Sequence, residues 1–136
     1  MKTAKYLIVL FIITFSSCKE ETNPVTSQID YGQLTKSWTN SYEEEDINRS
    51  PQIYRPSDYK EYPSSRYREQ LTFNNDSNCK YLVLDPADAH YIKSGKWSMI
   101  DREKNIINIL DSSGAVYKKF QIVELKQDLL KLVFVN

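Results

Sequence analysis

Short apolar runs separated by turn residues fill the C-terminal part of the chain and constrain its fold most strongly. In the last run, Leu130, Leu132 and Phe134 alternate with Lys131 and Val133. Polar stretches rich in Asn, Asp, Ser and Gly separate the runs, and these residues favour tight turns. No segment has the long 3.6-residue period of an amphipathic helix. The pattern predicts an all-β domain, a small antiparallel meander closed into a barrel.

Counting the runs gives about seven strands, with a long loop between the first two. The first strand lies around Trp38, and the second begins at Leu71. Between them, Asp46 to Ser65 contains three prolines and no alternating apolar run. Loops this long are uncommon in compact domains and are usually functional or disordered.

Tyrosine and arginine are frequent in this loop and just after it. These residues dominate interface hot spots, and they are our candidate binding residues. The candidates are Tyr54, Arg55, Tyr59, Tyr62, Arg66, Tyr67 and Arg68. Two interpretations stay open: a surface that binds a protein or glycan, and a lid whose tyrosines cover the barrel end.

The N-terminal residues have the pattern of an export signal. Two lysines in the first five residues precede the ten uncharged residues Tyr6 to Phe15, which at about 1.5 Å per residue cannot span about 30 Å of hydrocarbon. A short apolar core of this kind is typical of a signal peptide. Ser16-Ser17-Cys18 resembles the lipobox of bacterial lipoproteins, which implies cleavage before Cys18 and lipidation of that cysteine.

We therefore expect three regions: a signal peptide at residues 1–17, a lipidated tether at 18–28 and a barrel domain at 29–136. The lipid on Cys18 would attach the chain to the outer membrane of the cell envelope. Lys19-Glu20-Glu21 resembles a surface-export signal of Bacteroidota lipoproteins. Surface display and the periplasmic leaflet both stay open.

Composition excludes several classes of function. Eighteen Lys and Arg balance eighteen Asp and Glu, so no general basic field attracts nucleic acid. Three glycines, two cysteines and one histidine argue against a glycine-rich phosphate loop, a multi-cysteine zinc site and a disulfide scaffold. Four consecutive acids, Glu43 to Asp46, are interpreted as a solvated strand end, since a calcium loop needs spaced ligands and a glycine.

Chemistry-bearing residues are few. Asp85, Asp88 and His90 are weak metal candidates, because three ligands from one turn lack a second cluster. The alternative is a solvated turn in which Asp85 caps backbone N–H groups. Cys79 is interpreted as a small hydrophobe that begins a strand. We expect neither an enzyme nor a cofactor.

Several motifs together resemble the lipocalin-like domains of small Bacteroidota lipoproteins. They are Leu71-Thr72-Phe73, Cys79-Lys80-Tyr81, Gly95-Lys96-Trp97, Ile122-Val123-Glu124-Leu125 and Leu129-Leu130-Lys131-Leu132. The resemblance covers about Leu34 to Phe134. It implies that Trp38 and Trp97 anchor the core, where Phe73 is expected to join them, and that the long loop lies over the open barrel end.

The expected function is non-catalytic binding of a small apolar or amphipathic ligand at the barrel mouth by a monomer. The alternative is an interaction module with a filled core, which uses the Tyr/Arg-rich loop 46–68 to bind a protein or glycan.

Overall fold

Eight antiparallel strands form a closed barrel. A computed structural model describes residues 29–87 and 89–136, so the signal peptide, Cys18, the tether and Asp88 lie outside the described residues. The strands are β1 (Ser37–Asn40), β2 (Gln52–Pro56), β3 (Gln70–Phe73), β4 (Asn78–Leu84), β5 (His90–Asp101), β6 (Ile106–Leu110), β7 (Val116–Lys126) and β8 (Leu129–Phe134). Two 3-10 helices, Tyr31–Leu34 and Tyr42–Glu44, flank β1. The all-β class and the closed antiparallel barrel are confirmed. Within the described ranges, no helix is long and apolar enough to cross a membrane.

The barrel has eight strands rather than about seven, and the additional strand is β2. It lies inside the segment that the sequence predicted as loop, directly after Pro51, and it ends at Pro56. A strand of five residues that contains one proline and follows another shows no clear alternation of apolar and polar residues. The strand forms because its neighbours supply the ladder, with Tyr54 opposite Asn40 on one side and opposite Leu130 on the other.

Strand order departs from a simple meander at β1. Around the barrel the order is β1-β2-β8-β7-β6-β5-β4-β3, so β1 lies between β2 and β3. The connection from β2 to β3, residues 57–69, must therefore pass β1; we call it the strap. Thr39 on the outer side of β1 is buried, and its hydroxyl lies 2.9 Å from that of Ser57 on the strap. The predicted single loop is therefore interrupted by β2, and its part at Ser57 lies along the barrel wall at β1.

One end of the barrel is plugged by the N-terminal 3-10 helix. Leu34 is fully buried, and the indole N–H of Trp38 donates to its carbonyl oxygen at 2.8 Å. The Tyr31 hydroxyl reaches across to Asn105 on the β5–β6 turn at 2.7 Å. We call this the closed end.

The expected core residues lie in or against the core. Trp38 and Phe73 are buried, and Trp97 packs edge-on against Phe73 with ring centroids 5.7 Å apart. Trp97 is partly buried, and its ring N–H donates to the Asn74 carbonyl at 3.0 Å. The three residues predicted for the core therefore belong to it or pack against it.

Candidate functional site

The opposite end of the barrel, which we call the mouth, contains a cavity of about 550 Å³. β1, β4, β6 and β8 end there, and β2, β3, β5 and β7 begin there. Apolar and aromatic lining residues are Tyr42, Tyr67, Leu82, Leu84 and Phe134. Charged lining residues are Glu45, Arg49, Glu69 and Lys118. The mouth cavity therefore offers both apolar surface and charge.

A buried polar network forms part of the cavity lining. The Tyr54 hydroxyl donates to Glu69 Oε2 at 2.7 Å, and Lys118 forms an ion pair with Glu69 Oε1. The Lys118 ammonium also lies 5.3 Å from the centre of the Phe134 ring. Burial, together with the Glu69 charge, raises the pKa of Tyr54 well above its ordinary value, so Tyr54 remains a donor. The Glu69 carboxylate is thus neutralised within the barrel.

Exposed apolar side chains concentrate at the mouth. Of the eleven large hydrophobic residues exposed in the described ranges, three lie elsewhere: Tyr59, Ile100 and Val123. Three of the other eight, Tyr67, Leu84 and Phe134, line the mouth cavity. Ile47 and Tyr91 lie on a loop and a strand end at the mouth, Val116 and Tyr117 begin β7, and Ile92 lines a separate depression with Thr72 and Lys80. Clustered exposed apolar surface marks binding sites on soluble domains. The mouth is therefore the strongest candidate site.

Arg49 stands at the edge of this cavity on the loop between β1 and β2. Its guanidinium lies 5.7 Å from the centre of the Tyr42 ring, and its backbone has a left-handed φ of 49°. The turn is fixed by Asp46, whose carbonyl accepts from Arg49 N at 3.0 Å and whose carboxylate accepts from Asn48 N at 2.9 Å. Within residues 29–87 and 89–136, Arg49 forms no ion pair. Its charge is therefore available to a bound molecule.

The predicted Tyr/Arg candidates divide between structural and exposed positions. Tyr54 lies in the core with no exposed surface, where its hydroxyl serves the polar network. Arg68 is 6% exposed; it forks onto Glu43 at 2.5 and 3.0 Å and donates to the Asn40 carbonyl at 2.8 Å. Both side chains are therefore part of the fold.

The remaining candidates, Arg55 on β2 and four residues on the strap, are anchored in a similar way or reach solvent. Arg55 forks onto Glu44 at 2.7 and 3.1 Å and lies 4.8 Å from the Tyr59 ring centre. Half-buried Tyr62 lies under Arg68, at 5.1 Å. Exposed candidates are Tyr59, Arg66 and Tyr67, of which Tyr67 lines the mouth cavity.

The acidic run anchors the strap and is not a freely solvated strand end. Glu43 holds Arg68, Glu44 holds Arg55 and Lys60, and Glu45 Oε1 accepts from Asn40 and from the Ile53 amide. Hydrogen bonds from Arg55 lower the pKa of Glu44 to about 2. The hydrogen bond from Arg68 likewise lowers the pKa of Glu43. Our interpretation failed because the partners lie up to 25 residues away in sequence.

The weak metal candidates are not brought together as a ligand set in the described residues. Asp85 caps the β4–β5 turn by accepting from Ala87 N at 2.8 Å, as the alternative interpretation proposed. His90 packs edge-on to Tyr67 with ring centroids 5.1 Å apart. No group of three or more acidic, histidine or cysteine ligands occurs in the described ranges.

Cys79 is buried, and burial raises its thiol pKa to about 11. The thiol is therefore protonated at neutral pH.

Two other depressions are shallower than the mouth cavity. One of about 580 Å³ lies near the closed end, between the end of β2 and the β7–β8 turn, and is more open to solvent. Another of about 410 Å³ lies beside the β6–β7 turn. Neither includes the concentrated apolar rim of the mouth.

Sequence reasoning missed Glu69, Lys118 and Arg49. The first two had a signal, because Glu69 extends the alternation of Leu71 and Phe73 by one step, and Lys118 does so for Phe120. A charge that continues an apolar row in period two marks a polar position inside a barrel. We find no comparable signal for Arg49.

Comparisons with protein-family models, curated proteins and solved structures find no match to this chain.

Proposed function

We propose that this protein is a non-catalytic binding protein that takes a small apolar or amphipathic molecule at the barrel mouth. One observation carries the proposal: the mouth cavity of about 550 Å³ is lined by three exposed large hydrophobic residues, Tyr67, Leu84 and Phe134. Burial of apolar surface stabilises a complex by roughly 25 cal/mol per Å² before the costs of association. A ligand that covers this rim would use that energy.

The size of the barrel limits the ligand. An eight-stranded barrel has room for its own side chains or for one small molecule. Here the interior toward the closed end is filled by residues such as Leu34, Trp38 and Phe73. The ligand would therefore sit at the mouth, with its apolar part against Leu84, Tyr67 and Phe134.

The expected anchor and family belong to the same proposal. Lipidation at Cys18 would hold the barrel to the outer membrane, in either leaflet, through the tether 18–28. Strands β3–β8 form an up-and-down meander, which fits a lipocalin-like barrel. A monomer with one open mouth suffices for binding of this kind.

The second candidate is an interaction module for a protein or glycan. It is favoured by Ile47, which is 97% exposed, and by Tyr67, which is 64% exposed, both on loops of the mouth. Tyrosine faces stack well on sugars and on protein surfaces. Because Arg55 on β2 and Arg68 on the strap are bound within the protein, such a partner would contact the mouth rim more than the strap.

The test uses the neutral fluorescent probe N-phenyl-1-naphthylamine. All eight strands and the core lie within residues 29–136, so residues 18–136 with Cys18→Ser retain every described contact without a competing lipid. Fluorescence should rise in a saturable one-to-one titration. Leu84→Asp should weaken binding at least fivefold by placing a charge in the cavity lining.

The matched control for Leu84→Asp is Ile100→Asp. The two residues are 51% and 49% exposed, and Ile100 lies at the closed end. Ile100→Asp should leave probe affinity unchanged. Absence of saturable binding, or equal loss in both variants, would contradict the proposal. If the probe binds as expected, native mass spectrometry of the protein released from its own envelope gives the mass of the carried ligand, as the difference from the mass of the denatured protein.

A further inference from the structure

We propose that the mouth site selects amphipathic anions, and that the Arg49 guanidinium holds the acidic group of the ligand. This inference rests on the proposed function and adds the chemical class of the ligand. It follows from two observations: both lining carboxylates accept hydrogen bonds from the protein, and the Arg49 guanidinium has no carboxylate partner in the described residues.

The carboxylates of the cavity are satisfied within the protein. Glu69 binds Lys118 and the Tyr54 hydroxyl, so its charge is compensated. Glu45 uses Oε1 to accept two hydrogen bonds, from Asn40 Nδ2 at 2.6 Å and from Ile53 N at 2.9 Å. The lining anions therefore already serve the fold.

Arg49 differs from both carboxylates. A guanidinium has five N–H donors in a planar fork that matches carboxylate or phosphate oxygens. Within the described residues, Arg49 lies on the face of Tyr42 and forms no ion pair, so its N–H donors have no carboxylate partner there. An exposed cation at the edge of an apolar cavity is complementary to an anion with an apolar body.

The Tyr42 ring, against which Arg49 lies, is itself held in position. The Tyr42 ring is contacted by Arg68 at 4.2 Å, and Arg68 is held by Glu43 and the Asn40 carbonyl. Tyr42 therefore carries two guanidinium groups, one buried in the strap network and one at the cavity edge. A ligand would pair its acid with Arg49 and lay its apolar part on Leu84 and Phe134, which line the same cavity.

The experiment displaces N-phenyl-1-naphthylamine from residues 18–136 carrying Cys18→Ser with ten-carbon competitors below their micelle concentrations. Decanoate, decyl phosphate, decan-1-ol and decyltrimethylammonium supply two anions, a neutral head and a cation on one chain length. Arg49→Met should weaken displacement by the anions about three- to fivefold, the size of an exposed ion pair. Its effect on decan-1-ol and on the probe itself should be smaller than its effect on either anion. Whichever anion loses more identifies carboxylate or phosphate as the preferred acid.

The control is Arg102→Met. Arg102 is exposed on the β5–β6 turn at the closed end, and its guanidinium lies 5.8 Å from the Tyr31 ring centre, much like Arg49 on Tyr42. This variant should leave all four competitors unchanged, and Arg49→Lys should restore part of the anion affinity. Equal losses for decanoate and decan-1-ol, no loss for either anion, or a preference for decyltrimethylammonium would overturn the inference. No probe binding at all would overturn the proposed function and this inference together, which distinguishes the two failures.

Discussion

The closed end and the mouth are built from the same eight strands, yet they treat apolar surface in opposite ways. At the closed end, Leu34 and Trp38 have no exposed surface, and side-chain hydrogen bonds tie the first 3-10 helix across the opening. At the mouth, Tyr67, Leu84 and Phe134 are exposed and line a cavity. The closed end is therefore expected to contribute more to stability than the mouth, where we propose that a ligand binds. Substitutions at the two ends should therefore change different measurements.

The largest expected effect is at the closed end. Trp38→Ala removes a fully buried indole and its hydrogen bond to Leu34, and it should lower the free energy of unfolding by about 3–5 kcal/mol. Urea denaturation followed by circular dichroism measures this change. Tyr67→Ala at the mouth should cost no more than about 0.5 kcal/mol. Similar losses in the two variants would break the proposed division between the ends.

The two arginines that contact Tyr42 give a sharper comparison of the same kind. Arg68→Met should destabilise the fold by about 1.5–3 kcal/mol, because it removes charge-assisted bonds to Glu43 and the Asn40 carbonyl. Arg49→Met removes no ion pair and should change the free energy of unfolding by less than about 0.5 kcal/mol. Urea midpoints of both variants test this, and an equal loss would mean that Arg49 has a structural role.

Acid should weaken the strap before it disturbs the core. The pKa of Glu44 falls from its ordinary value of 4.5 to about 2 in the folded protein, so the native state binds fewer protons there than the unfolded state. Its stabilising contribution is present above about pH 4.5 and is lost as pH falls toward 2. Glu44→Gln should therefore be less stable than the wild type at pH 6 and nearly equal to it at pH 2. A difference independent of pH would show that the Arg55 pair contributes nothing through charge.

Much of the barrel could be predicted because its meander is local. Leu130, Leu132 and Phe134 alternate with polar neighbours, and the turn before them contains Lys126 to Asp128. Hairpins of this kind need only adjacent residues, so the period of two and the turn residues suffice. The core positions of Trp38 and Trp97 were predicted from the family resemblance, and both side chains lie in or against the core.

The strap and the site could not be predicted because they depend on distant partners. β2 forms only between β1 and β8, and its ladder to β8 joins residues such as Tyr54 and Leu130 that are far apart in sequence. The ion pairs of Glu43 and Glu44 with Arg68 and Arg55 depend on the strap passing β1. Composition marked seven Tyr and Arg residues, of which Tyr67 lines the mouth cavity, and it could not tell an exposed tyrosine from a buried one such as Tyr54.

The smallest expected effect on stability tests the rim itself. Ile47 is 97% exposed on the β1–β2 loop, so Ile47→Ser should change the free energy of unfolding by less than about 0.5 kcal/mol. It should still reduce retention on a phenyl hydrophobic-interaction column, because Ile47 belongs to the apolar cluster of the mouth. Val123→Ser is the control, since Val123 is exposed on β7 away from the mouth, and its effect on retention should be smaller. Equal effects on retention would mean that the mouth does not act as one apolar surface, and a stability loss above about 1 kcal/mol would mean that Ile47 is buried in solution.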